Sequence, residues 1–407
     1  MLSRFPFLPG GLALIASACA MPQTGLRRTT PMEHTVLRGE QLHTERQILE
    51  GRDIKLLTVY GNLAIQDSRP MTVQLSRVLD APMVGETALR ITEIVQQNQY
   101  LLVAYASPDG RALGALALID ITDPEAPVLR AELQLPQVAV TALAIEGDQV
   151  YFAGTSVKPG QAVVARISFQ GFEWQDDLKI QTVDLSAVGS LALLDERLLV
   201  LDRGQSQLVT LNKKDLSVNT LVNVPGLSRM GRSASSLWAY RDEQIIKLDA
   251  DLHVQAAWAT GVPANNVVGP LRVGQEMVLS SLGEEGVRAF CQTEARPLFY
   301  VPNVIRAELK AEPLPTLDAA LDQGLLVTAN AEAGVYLYTV STGERSGSCK
   351  TRTVKVEGYL NLGKEFRAET LNWQQDLLTV ADGQGRLNLF YIDRDTVDTD
   401  DSDFNVH

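Results

Sequence analysis

Eight times between Ile54 and Asp393, a short run of apolar and β-branched residues is followed by a turn and a second such run. The units are IKLLTVYGNLAIQD from Ile54, YLLVAYASPDGRALGALALID from Tyr100, QVYFAGTSVKPGQAVVARI from Gln149 and RLLVLDRGQSQLVTLN from Arg197. They continue with SLWAYRDEQIIKLD from Ser236, EMVLSSLGEEGVRAF from Glu276, GLLVTANAEAGVYLYTV from Gly324 and DLLTVADGQGRLNLFYID from Asp376. The mean step is about 46 residues, inside the roughly 40–50-residue period of four-stranded propeller blades. Runs this short, broken by Gly, Asp, Asn and Pro, cannot sustain a 3.6-residue period, which argues against a helical solenoid. The pattern predicts an all-β propeller, with eight blades from the hairpin count and seven as the other count.

Proline marks the same register. Leu135-Pro136, Val224-Pro225, Val262-Pro263 and Val301-Pro302 each close a strand-like run, and proline lacks the N–H that a central ladder needs. If each hairpin supplies strands b and c of a blade, the last strand c ends near Asp393 with no apolar run left for strand d. An open edge is a pairing hazard. The segment from His34 to Leu49 contains two short candidate strands and is expected to complete the last blade, so that an N-terminal strand closes the ring.

The clearest unit is LALIDITDPEAPVLRAELQLP, from Leu116 to Pro136. It resembles the LVIVD repeat, a bacterial propeller motif in which a strand ends with Asp, turns through Asp-Pro and Pro, and continues as an apolar strand. The resemblance implies that Asp120 accepts turn N–H groups while Pro124 and Pro127 preset φ. Asp67, Asn212, Asp249 and Asp393 stand where Asp120 does in other units, without the two prolines.

The N-terminus carries an address. A basic start (Met1 to Arg4), an apolar run (Phe5 to Ile15) and Ala16-Ser17-Ala18-Cys19 read as a secretory signal too short to span a membrane. Its end resembles the lipobox of bacterial lipoproteins, which implies cleavage after residue 18 and lipid attachment at Cys19. The alternative is ordinary cleavage after Ala18 or Ala20, giving a soluble exported protein. Ala20-Met21 lacks the Asp that commonly retains lipoproteins at the inner membrane, so the resemblance implies an outer-membrane lipoprotein, periplasmic or surface-facing. The expected organisation is a signal peptide at 1–18, a flexible tether at 19–33, a propeller at 34–395 and an acidic disordered tail at 396–407.

Of the 407 residues, 36 are Lys or Arg and 49 Asp or Glu, a formal charge of −13. A chain with that balance does not wrap nucleic acid. Four His and three Cys show no metal-ligand spacing, no catalytic signature is recognisable, and no cofactor is expected. Trp174, Trp238, Trp258 and Trp373 recur at no common blade position and read as packing residues. Cys291 and Cys349 each follow a predicted strand c in neighbouring units. They are either free thiols or, in an oxidising envelope, a disulfide.

In a propeller the b–c and d–a loops share one face. Here that candidate binding face gathers Asp109, Arg111, Lys158, Arg203, Arg241, Glu284, Glu285, Glu332, Asp382 and Arg386. The longest connection, Pro302 to Pro315, adds Arg306 and Lys310, with Val304, Ile305 and Leu309 between charges. These features predict a non-enzymatic protein-binding or scaffold module of the bacterial envelope, anchored through Cys19 and docking an envelope protein. One alternative is a propeller hydrolase or lactonase with a central-channel site, for which the sequence offers no regular series of inward carboxylates, His or Asn on strand a. The other is an accessory factor in outer-membrane protein assembly.

Overall fold

The hairpins of the sequence become strands b and c of seven antiparallel sheets. The computed structural model describes residues 32–38, 48–54 and 71–394, apart from 234–235, 264–268, 275, 295, 305–313, 347–348, 361 and 364. Outside the described residues lie the signal peptide with Cys19, most of the tether, the hairpin at 55–70 with Asp67, Arg306 and Lys310 of the long connection, and the acidic tail.

Blade 1 runs Arg90–Gln97 (a), Tyr100–Ala106 (b), Gly114–Asp120 (c) and Val128–Leu135 (d). Blade 2 follows with Val138–Glu146, Gln149–Ser156, Ala162–Gln170 and Lys179–Val183. Blade 3 is Val188–Leu194, Arg197–Asp202, Gln207–Asn212 and Val218–Asn223, and blade 4 is Leu227–Ser233, Ser236–Arg241, Gln244–Leu248 and Val254–Ala259. Blade 5 is Leu271–Val273, Met277–Ser281, Val287–Cys291 and Pro297–Val301. Blade 6 is Asp318–Asp322, Leu325–Ala329, Val335–Ser346 and Cys349–Leu360. Blade 7 takes a, b and c from Ala368–Gln374, Leu377–Asp382 and Leu387–Arg394, and its strand d is Met71–Leu79.

The N-terminal chain therefore closes the ring, but with residues other than 34–49. Met71–Leu79 pairs with the last strand from Met71↔Arg394 to Leu79↔Leu387. The physical reason is its apolar pattern: Val73, Leu75, Val78 and Leu79 are all buried, whereas Leu37 is the one buried residue of Thr35–Arg38. The expected segment is divided instead. Thr35–Arg38 pairs the outer edge of blade 1, Thr35 opposite Gln134. Ile48–Ile54 pairs the outer edge of Met71–Leu79, Ile48 opposite Leu79. Seven is thus the blade count, because the unit from Ile54 contributes no blade of its own among the described residues.

Blades hold together by packing face against face. Leu102, Leu118 and Leu133 of blade 1 interlock with Val140, Phe152 and Val163 of blade 2, each such burial stabilising by roughly 1.5–3 kcal/mol. All four tryptophans are packing residues. Trp174 meets Phe169 edge-on, Trp238 and Trp258 lie 4.8 Å apart, and the Trp373 Nε1–H donates to Asp322 O. Asp120 accepts the Thr122 N–H at 3.0 Å and the Arg130 Nη2–H at 2.7 Å, fixing the c–d turn as its motif implied. Asn212 and Asp249 do the same in blades 3 and 4, accepting the Lys214 and Asp251 N–H groups. A disulfide joins Cys291, at the end of strand c of blade 5, to Cys349, at the start of strand d of blade 6.

Candidate functional site: the charged mouth of the central channel

Strands a of successive blades pack side by side around the propeller axis. In five blades the a–b pairing skips one residue near the start of strand a: Thr92, Thr141, Gly189, Ser228 and Glu369. Such a bulge bends the strand and re-aims its neighbours. Here it recurs where the chain descends from the b–c and d–a face into the ring.

The bulged residues stitch neighbouring blades together. Thr92 Oγ1 donates to Val140 O at 2.9 Å and Thr141 Oγ1 to Val188 O at 3.2 Å. Met230 N–H donates to Ser190 Oγ at 3.1 Å. Between blades 4 and 5, Gly231 lets the backbone approach Leu271 O, where a Cβ would collide. Asn372 Nδ2 donates to Gln96 Oε1 at 2.9 Å, joining blade 7 to blade 1.

Within this frame, charges from five blades converge. Glu93 (blade 1) accepts the Leu143 N–H at 2.8 Å, and burial pushes its carboxyl up to about 7 despite the nearby Arg272 and Arg229. Asp318 (blade 6) is 1% exposed. Its Oδ2 accepts from Arg272 Nη2 at 3.1 Å, Thr370 Oγ1 at 2.7 Å and Leu371 N at 3.0 Å. Arg272 (blade 5) also donates from Nη2 to Leu371 O of blade 7, at 2.7 Å. Arg229 (blade 4) donates to Gly189 O at 3.3 Å, and burial, followed by the like charge of Arg203, lowers its guanidinium to about 10. Arg203 (blade 3) is exposed at the rim, its stem lying where a side chain on Gly189 would be.

The residues of the expected binding face divide into pairs, free tips and buried caps. Asp109 is occupied by its own loop, accepting from Ser107 Oγ and from Arg111 Nε at 2.6 Å. These bonds, that from Ser107 first, hold its carboxyl below the usual range. Asp382 is 1% exposed and caps its turn through the Gln384 and Arg386 N–H groups, with Arg386 Nε at 2.8 Å. Asp202 plays the same part in blade 3, accepting the Ser186 and Gly204 N–H groups. Glu332 pairs with Arg367 at 3.2 Å and Glu285 with Arg288 at 3.9 Å. Lys158 and Glu284 are exposed, and Arg241 is half-buried. Among the described residues of that face, only Arg203 joins the channel cluster. Glu93, Arg229, Arg272 and Asp318 escaped the sequence reading because no motif links them; the available signal was a charge in the first half of a strand that is otherwise buried.

The fold defines the chain as a seven-bladed β-propeller. No protein-family model matches its sequence, and no curated protein does. Solved structures are similar in fold. Virginiamycin B lyase from Staphylococcus aureus, an inactive variant with quinupristin, matches at 12% identity and TM-score 0.55 over 79% of this chain and 99% of its own. The Pan2 WD40 domain of Neurospora crassa matches at 10% identity and TM-score 0.51, over 74% and 89%. BamB from Moraxella catarrhalis matches at 13% identity and TM-score 0.46, over 84% and 98%. At such identities the likeness is one of fold alone.

Proposed function

We propose that this chain is an outer-membrane lipoprotein of the bacterial envelope, attached through lipid on Cys19, whose propeller binds another envelope protein without catalysing a reaction. The address at residues 1–19 supports the anchor, and a Cys291–Cys349 disulfide suits an oxidising compartment. The turn built on Asp120 supports the LVIVD-like reading of the repeats.

The observation that carries the binding role is the outer edge of blade 3. All six residues of its strand d, Val218–Asn223, are exposed, with Val218 at 49%, Leu221 at 45% and Val222 at 37%. Val254 of blade 4 adds a fourth exposed apolar side chain on a neighbouring strand d. Blades 1 and 7 have their outer edges covered by the chain's own strands, whereas no described strand pairs the outer edge of Val218–Asn223. An apolar open edge is a template for strand addition. The occupant is therefore an extended segment of a partner protein, supplying main-chain hydrogen bonds and apolar side chains.

Capture from detergent-solubilised envelopes tests this reading. Wild type should retain one stoichiometric partner, and the double variant Leu221→Lys, Val222→Lys should lose it while melting as wild type. Retention of the partner by the folded double variant would remove blade 3 from the interface. Cys19→Ser should release the protein from the membrane fraction; an unchanged fractionation would rule out the lipid anchor.

A further inference from the structure

Eight large apolar side chains are exposed among the described residues, and six of them lie on the outer strands of blades 3 to 6. The other two, Met83 at 38% and Val157 at 59%, lie on the b–c and d–a face, in the connection entering blade 1 and the b–c turn of blade 2. Both tips are ordered. Met83–Val84 pairs with Thr87–Ala88, and Met83 O accepts from Gln134 Nε2 of blade 1 at 3.1 Å. The blade 2 turn is closed by the Ser156 N–H donating to Gln161 O at 3.1 Å and the Lys158 N–H to Ser156 Oγ at 3.2 Å. Val157 is thus presented to solvent with the exposed Lys158 and Pro159 beside it. The chain enters the described fold in the same sector. Thr35 lies opposite Gln134, at the end of strand d that leads into the d–a connection, and Met32 packs against the core shared by blades 1 and 2. Met32 is 13 residues beyond Cys19, a span of at most about 45 Å. A lipid on Cys19 therefore keeps this point of entry within that distance of a bilayer, on the side that carries Met83 and Val157.

We propose that the b–c and d–a face at blades 1 and 2 rests on the phospholipid bilayer, with Met83 and Val157 as the apolar tips that enter its interface. The inference rests on the lipid-anchor reading and is independent of the docking one. Apolar side chains so placed leave water, while the Lys158 stem lies along them with its ammonium at headgroup level. Exposed charge around the tips is mixed, Arg90 and Lys158 against Glu86 and Asp184, so apolar contact holds the face and attraction to anionic lipid does not. Across the ring the b–c turn of blade 5 presents Glu284 and Glu285, which stay in water. Val218–Asn223 lies on the rim of the ring and not on this face, so the orientation leaves it open to a partner.

The test is fluorescence quenching by brominated lipid. Cys19 is the one cysteine outside the Cys291–Cys349 bridge, so the unacylated, oxidised full-length chain is coupled through it to a maleimide phospholipid in phosphatidylcholine vesicles, with or without bromine on the acyl chains. Val157→Trp adds an indole at the tip, and the four native tryptophans, all buried, supply the wild-type baseline. The added emission of Val157→Trp should fall by about half in brominated vesicles. That of Lys214→Trp, on an exposed c–d turn of the opposite face, should be unchanged. Met83→Trp gives an independent reading should Val157→Trp fold poorly. No loss at the tips, or an equal loss in Lys214→Trp, would overturn the proposal. Acylation plays no part in this measurement, so a failure of Cys19→Ser to leave the membrane fraction and a failure of quenching are separate results.

Discussion

Asp318 Oδ2 of blade 6 lies 3.1 Å from Arg272 Nη2 of blade 5. The same oxygen accepts the Thr370 hydroxyl and the Leu371 N–H of blade 7. One carboxylate thus ties three of the seven blades together where their inner strands begin. Asp318→Ala would leave a half-buried arginine, a hydroxyl and a backbone N–H without this acceptor. The expected loss is roughly 3–5 kcal/mol, read as a lower urea midpoint with unchanged m-value. Asp318→Asn keeps an acceptor oxygen and should lose less. A loss in Asp318→Ala within error of a surface variant would show that Asp318 does not join these blades.

Glu93 gives the protein a pH signature whose sign follows from its environment. Burial raises its folded carboxyl from 4.5 to about 7, so the folded state holds this proton more tightly than the unfolded chain does. Its contribution is fully present below about pH 4.5 and is lost as pH rises through about 7. The stability of Glu93→Gln minus that of wild type should therefore increase between pH 5 and pH 8, by about 3 kcal/mol at most. A difference that is flat across this range would contradict a raised Glu93.

Most of the architecture was legible because a hairpin is a local object. Tyr100–Ala106 and Gly114–Asp120 pair across a short turn, and the apolar residues that make them strands adjoin in sequence. Ring closure was legible as a requirement, since strand c of blade 7 ends near Arg394 with no apolar run after it in the sequence. Its residues were harder to identify. Met71–Leu79 directly follows the unit from Ile54 and reads as that unit's own outer strand until its partner, Leu387–Arg394, is known. The channel was not legible for a related reason. Glu93, Arg229, Arg272 and Asp318 are brought together by ring geometry and by bulges at Thr92 and Ser228, which hydrophobic alternation does not reveal.

Truncation separates the latch from the strands laid outside it. A chain beginning at residue 70 keeps Met71–Leu79 and should remain a closed ring, losing only the outer strands of blades 1 and 7. A chain beginning at residue 80 loses strand d of blade 7 and exposes the edge of Leu387–Arg394. It should be less stable by several kcal/mol and prone to aggregate. Equal melting temperatures for the two truncations would contradict closure by Met71–Leu79.

The Cys291–Cys349 bridge spans 58 residues and links blades 5 and 6 at the c–d side, away from the channel mouth. The paired Cys291→Ser, Cys349→Ser variant should be less stable by at most about 4 kcal/mol in the chain-entropy description. Unaltered stability under reducing conditions would mean that the bridge adds nothing to the packing between these blades.

Hydrogen exchange on the complex tests the docking claim most directly, because strand addition engages backbone N–H groups. With the captured partner bound, amides of Val218–Asn223 should exchange markedly more slowly than in the free protein, while those of Thr35–Arg38 and Met71–Leu79 stay as they were. Unchanged exchange at Val218–Asn223, with protection confined to the b–c and d–a loops, would contradict it and move the interface to the mouth of the propeller.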